Sequence, residues 1–401
     1  MKKVLILFLS IFFTFSLKSQ DVNYDDILGG NLNTITTAVP FLLISPDSRS
    51  GAMGDVGVAT APDAASMHWN PAKLAFTKDD IGVSVSIVPW LRELVPDINL
   101  QYIGGYYKLN NNEALGYELR YFSLGDITFT DNTGNVIGQY KPNELALGTS
   151  YSRKLSRDLS IAISGRYIYS NLTGGQSAGG TETIAGQSIA ADISTFYTRP
   201  ISIADNKSDL SFGMNISNIG NKISYTETIT RDFIPINLRL GTDLTTEIDE
   251  YNKFSFAIDL NKLLVPSPPL YDENGDMIAG KDPEVSVVSG MFQSFGDAPG
   301  EIDENGNPVP GSIFKEEMRE INISTGFEYW YANQFALRAG YFHEHDTKGG
   351  RKYLTFGSGV KYNVFALDFS YLISTSNIGG SNPLANTMRF TLVFDLGSMG
   401  T

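Results

Sequence analysis

Between Ile321 and Ile373 the chain alternates apolar with polar or small residues in four consecutive runs. In the first, Ile321, Ile323, Phe327, Tyr329 and Tyr331 share one face, and Asn322, Ser324, Gly326 and Glu328 share the other. Phe335, Leu337, Ala339 and Tyr341 repeat the pattern against Ala336, Arg338 and Gly340, and Leu354, Phe356, Val360 and Tyr362 against Tyr353, Thr355, Gly357 and Lys361. Phe365, Leu367, Phe369, Tyr371 and Ile373 close the series against Ala366, Asp368 and Ser370. Side chains alternate faces along a strand, so each run predicts a strand with one greasy and one polar side. The joints Ala332–Gln334 and Asn363–Val364 are tight, whereas Phe342–Arg351 is a longer polar loop. Runs of about ten residues, joined alternately by tight and long connections, predict a transmembrane β-barrel rather than a soluble sandwich.

The pattern extends upstream. Further strands are expected at 81–88, 98–107, 113–123, 144–152, 158–170, 187–198, 209–217, 235–244 and 252–262, with a last one at 387–396. Together they make about fourteen, an even number that suits an all-β, closed antiparallel barrel. The connections then sort by phase. Lys108–Asn112, Arg153–Arg157, Arg199–Ser208 and Thr245–Tyr251 join the short class, and Leu124–Asn143, Asn171–Gly186, Asn218–Ile234, Leu263–Glu320 and Ser374–Asn386 form the long one. Short periplasmic turns and long extracellular loops are the habit of outer-membrane barrels. Leu263–Glu320, rich in proline and acid, has no helical period, and a loop this long is usually functional or disordered. Its apolar residues Val285, Val287, Val288, Met291, Phe292 and Phe295 are the candidate partner-binding anchors.

Met1–Ser19 has a Lys2-Lys3 start, an apolar run and a small residue before Gln20, which predicts a secretory signal peptide too short to span a bilayer. Residues 20–80 are then expected as a periplasmic or plug segment, with Gln20–Leu43 in the periplasm or entering the barrel mouth, and residues 81–401 as the barrel. Ser45–Leu74 is small and Gly/Ala-rich, with Asp63 capping a helix over Ala64–His68 that Asn70-Pro71 stops. This composition predicts a plug in or under the lumen, built around Met53, Gly54, Trp69, Asn70 and Pro71. The polar positions Glu118, Arg120, Arg166, Asp192, Arg239, Arg338, Lys361, Asp368 and Arg389 face that lumen.

Formal net charge is -14, and Lys2, Lys3 and Lys18 leave with the leader, an acidic balance that argues against nucleic acid as a partner, while the barrel pattern makes outer-membrane lipid the expected surrounding. There is no cysteine, hence no disulfide framework and no thiolate metal site. No nucleophile elbow, phosphate loop or HExxH is present, and the three histidines offer no catalytic set. His68 beside Trp69 reads as packed, and His343-Glu344-His345 as a loop rim. Asp272, Asn274 and Asp276 alternate oxygen ligands, but no bidentate acid follows at loop spacing, so a tight turn is the better reading than a calcium site. No enzyme activity, cofactor or metal is expected.

The segment Ser50-Gly51-Ala52-Met53-Gly54, followed by Ala59–Asp63 and Asn70-Pro71-Ala72, resembles the N-terminal signature of FadL-like outer-membrane barrels. Together with the loop layout and the strand Phe335–Tyr341, the chain more closely resembles the PorV (LptO) family of the Bacteroidetes type IX secretion system. That resemblance implies a fourteen-stranded, plugged barrel in the outer membrane with its loops outside the cell. It implies a shuttle that meets cargo at the translocon barrel through the cargo's C-terminal signal domain and delivers it to the surface protease/transpeptidase. The alternative is a FadL-like channel for fatty acids or other hydrophobic small molecules. Against it, Lys73 stands where transporter relatives tend to have glycine, and the expected lumen is charged rather than greasy.

Overall fold

The computed structural model describes residues 32–397 apart from 92–94, 96, 131–132, 176–181, 227–230, 273, 304–308 and 376–385. The expected leader lies outside the described residues, as do Glu273 and Glu304 of the acidic loop. In chain order the strands are β1 (Ile81–Pro89), β2 (Asn99–Asn110), β3 (Glu113–Ser123), β4 (Ile127–Thr130), β5 (Val136–Tyr140) and β6 (Asn143–Lys154). Next come β7 (Leu159–Asn171), β8 (Gly186–Ile203), β9 (Asn206–Gly220), β10 (Asn237–Glu247), β11 (Asn252–Leu263), β12 (Leu270–Tyr271) and β13 (Met277–Ala279). The last are β14 (Asn322–Tyr331), β15 (Phe335–His343), β16 (Lys352–Tyr362), β17 (Phe365–Ser374) and β18 (Met388–Leu396). β4–β5 and β12–β13 are separate hairpins, and the other fourteen close into one antiparallel barrel through β1 against β18. Closure removes every free edge, which is what a sheet in lipid requires.

The expected faces hold. Ile163 and Ile189 are 64% and 67% exposed on the outside, while their neighbours Ser164 and Ser188 are buried on the inside. Connections at one end span 111–112, 155–158, 204–205, 248–251, 332–334 and 363–364, and all the long ones lie at the other end. One joint differs from expectation. Arg199–Ser208 is mostly strand: past Leu159↔Tyr197 and Ser208↔Thr246, β8 and β9 pair only with each other, as a ribbon that turns at Ala204-Asp205. Both turn residues have positive φ, as a two-residue hairpin turn requires. Pro200 is tolerated there because the ribbon has no third strand needing its N–H.

The long loops carry ordered elements of their own, and residues 285–295, apolar enough to be expected to fold against something, do so. β4–β5 folds within residues 124–142, and the longest loop contains β12–β13 and two of the four short helices described below. These are α1 (Ser48–Gly51), α2 (Ser66–Trp69), α3 (Val287–Gln293) and α4 (Ser312–Arg319).

Inside, the lumen is not uniformly charged, as the sequence suggested. At the long-loop end Phe41 and Leu42 pack into an apolar core with Leu100, Phe122, Ile168 and Ile236, Phe41 stacking on Phe122 at 6.2 Å. The charged groups lie deeper. The chain therefore fills the barrel with a greasy cap above an ionic middle.

Candidate functional site

The N-terminal segment runs through the barrel from one end to the other. At the long-loop end Asn33 donates to Pro268 O (3.0 Å) and its N–H reaches Thr347 O (3.0 Å). At the short-turn end Phe76 stacks edge-on against Phe196 at 5.6 Å, and Lys108 donates to Thr77 O. Of the two placements expected for the residues before Leu43, those from Asn33 onward occupy the barrel mouth.

Between these ends the five predicted plug residues lie against the inner wall. Met53 and Gly54 pass so close to β15 that a Cβ on Gly340 would come within 2.1 Å of the Gly54 nitrogen, so this crossing admits only glycine. Trp69 donates to Asp47 Oδ1 (2.6 Å) and lies under the Arg239 guanidinium at 4.7 Å. Asn70 donates to Val58 O and to Thr195 O of β8, and its Oδ1 accepts from Ala72 N. Asn70-Pro71 thus does not simply stop α2, as expected. It caps a 3-10 turn over Pro71–Phe76, where proline suits the first position.

Wall and plug share their charges. Arg49 of α1 bridges Asp63 and Glu328, each at 2.8 Å, and Glu328 accepts in turn from Arg338, which reaches Asp368. Arg166 joins Glu118 (2.7 Å), Asp192 (3.0 Å) and Asn218. Arg389 donates to Gly51 O, and Tyr353 donates to Asp55 (2.6 Å). Arg120 donates to Phe41 O, Leu42 O and His68 Nδ1. The other ring nitrogen, Nε2, faces the Arg239 guanidinium at 3.4 Å, so the imidazole lies between two arginines. His68 is a packing and hydrogen-bonding group here. Lys361 stands apart from these groups, half-exposed and paired with Asp395 at the short-turn end.

The second feature is the folded long loop. α4 and its C-cap turn three carboxylates toward the barrel, Glu316 and Glu317 from the helix and Glu320 just past its end. Glu316 accepts from Lys348 (2.7 Å), Gly300 N and Asn33, and Glu317 accepts from Lys262 (3.0 Å), Asp297 N and Ala298 N. Glu320 completes the knot with Lys262 (2.6 Å), Lys348 (3.0 Å) and Ser267 (2.7 Å). Burial, with Glu317 and Glu320 close by, pushes the Asp297 carboxyl up to about 6. The sequence reading passed over these three glutamates. A signal was present: Glu316 and Glu320 repeat at one helical spacing, and Phe314 and Met318 at the same spacing on another face.

The six candidate anchors separate. Val287 and Met291 of α3 pack downward onto the apolar core, and Gly290 sits over Phe233 and Pro266. Val288, Phe292 and Phe295 are exposed, Phe292 at 77%, and Val285 is half-buried. Gly290 permits the close seating that lets α3 cover the mouth. No group of metal-binding residues occurs among the described residues.

The fold is similar to several solved outer-membrane proteins. The Ralstonia pickettii toluene transporter TbuX is 11% identical, with a TM-score of 0.46, 91% of this chain and 98% of that chain covered. The Pseudomonas putida toluene transporter TodX is 11% identical, with a TM-score of 0.46 and coverage of 89% and 99%. A Pseudomonas aeruginosa FadL homologue is 11% identical, with a TM-score of 0.43 and coverage of 90% and 99%. Likenesses this distant carry nothing about ligand or partner. No curated protein matches the chain. The family model for type IX secretion system protein PorV matches residues 29–270. With more than half its length matched in this way, the chain belongs to the PorV family, the outer-membrane barrels of the type IX secretion system.

Proposed function

We propose that this barrel is a docking component of the secretion system. It receives exported cargo at the translocon barrel through the cargo's C-terminal signal domain and hands it to the surface protease/transpeptidase. The observation that carries the reading is the exposed apolar face of α3, Val288 and Phe292, seated above a filled barrel through Val287 and Met291. The wall faces lipid and the lumen is occupied, which leaves the loop end to present a specific protein-binding surface. The orientation that follows puts the long loops outside the cell. Membership of the PorV family supports a secretion role. The tied plug counsels against a channel for fatty acids. Two hollows of about 420 and 310 Å³ are lined by Ile103, Tyr117 and Leu147 and by Tyr197, Phe212 and Leu240, on the outer wall rather than in the lumen.

The test is a Val288→Asp/Phe292→Asp double variant, expressed in cells and extracted in detergent. It should insert and fold normally yet lose co-purifying translocon and cargo. Capture at wild-type levels by a folded double variant would remove α3 as the docking face.

A further inference from the structure

We propose that the outward stripe of α4, formed by Ile313, Phe314 and Met318, is a membrane-seating element that rests in lipid at the barrel rim. Only the role left to α3 depends on the docking reading above. The argument begins with amphipathicity. A helix on a water-facing surface turns its apolar stripe inward and its charges out. α4 does the reverse: Ser312, Glu316, Glu317 and Glu320 are buried, while Phe314 is 70% and Met318 46% exposed. An inverted helix is stable where its outer surroundings are themselves apolar.

Its position supplies those surroundings. Glu317 and Glu320 clamp Lys262, which by the alternation of β11 projects on the same face as Leu260 and Phe256. That face looks into the bilayer: Leu260 is exposed, and Phe256 packs on Phe327 of β14 with ring centres 4.7 Å apart. Lys262 is nonetheless buried, covered from outside by α4 and by the Phe295 ring at 5.9 Å. α4 therefore sits on the outer shoulder of the rim and runs straight into β14, whose Ile323 is exposed on the outer wall. Its apolar stripe continues the lipid-facing belt upward. Lys315, exposed beside Phe314, pairs with the exposed Glu301 at 3.4 Å, so the charges flanking the stripe stay in water at the headgroup level while the lysine stem lies along the apolar boundary. α3 differs in each respect. It covers the mouth, packs its own apolar pair inward, and points Val288 and Phe292 away from the barrel.

The absence of cysteine makes the test direct. Single variants Phe314→Cys, Met318→Cys and Phe292→Cys, each carrying an environment-sensitive fluorophore, are reconstituted in phosphatidylcholine/phosphatidylglycerol vesicles with no partner protein. Folding of each is checked by heat-modifiable migration. A lipid bearing a nitroxide high on its acyl chain should quench the labels at 314 and 318 strongly. Aqueous iodide should quench them several-fold less than the label at 292. Iodide reaching all three equally would overturn the proposal, and so would labels at 314 and 318 shielded from both quenchers, which would mean that protein covers them. Because no partner is present, failure here leaves docking through α3 standing, and failure of the capture test leaves the lipid contact standing.

Discussion

The plug and the long loop both lie against the same barrel, yet they are fastened in opposite ways. The plug is held around the whole inner circumference, by groups on β3, β7, β8, β11, β14, β16 and β18 spaced along its length. The loop's ionic ties gather mainly at one knot, where Glu316, Glu317 and Glu320 meet Lys262 and Lys348, with α3 resting on the apolar core beside it. A segment tied at many separated points opens only with the fold itself, whereas one tied at a single knot opens locally. The difference assigns rigidity to the lumen and adaptability to the rim.

The sharpest way to break this comparison is within the plug. Glu328→Gln removes the charge between Arg49 and Arg338, although Asp63 and Asp368 still serve those arginines. Breaking a buried ionic network costs roughly 3–5 kcal/mol, and the remaining partners place this variant near the lower end. The expected outcome is a lower unfolding midpoint for the whole barrel, read by heat-modifiable migration across a temperature series. Glu320→Gln should act differently. Lys262 keeps Glu317 and Lys348 keeps Glu316, so the cost is about 1 kcal/mol and confined to the loop. Hydrogen exchange should quicken in α4 and around Ser267, with the barrel midpoint unmoved. A drop in global stability equal to that of Glu328→Gln would abolish the distinction.

The smallest effect is one of pH. The Asp297 carboxyl is raised from 3.8 to about 6 in the folded loop, so the folded loop binds its proton more tightly than the open one. Its contribution favours the closed loop at low pH and declines as pH rises from about 4 to about 6. A nitroxide on Lys315→Cys should therefore be more mobile at neutral pH than at mildly acidic pH. Asp297→Asn, which keeps an acceptor for the Ser267 N–H, should flatten that dependence.

The barrel was legible in the sequence because its wall is one residue thick, with lipid on one side and a polar filling on the other. Each residue from Phe335 to Tyr341 reports one of those two surroundings. Where the surroundings change, the reading fails. The end of the β8–β9 ribbon reads as one of the short turns, and α4 carries its helical spacing with the carboxylates on the buried side, so it does not read as a core-facing helix. The pairing of Arg49 with Glu328, or of Lys348 with Glu316, depends on closure and register across hundreds of residues, which no local pattern encodes. The plug stood out through its small residues. The greasy cap did not, because Phe41, Phe122 and Ile236 come together only once the barrel is closed.

The path of the N-terminal segment also ties the plug to the seam of the wall. It runs from Asn33 at one mouth to Thr77 at the other, and the seam that encloses it joins β1 to β18, the first strand of the barrel to the last. The plug leads within a few residues into β1, one side of that seam, so the seam's first strand and the plug are one continuous piece of chain, and parting β1 from β18 opens the wall beside the point where the plug leaves the lumen.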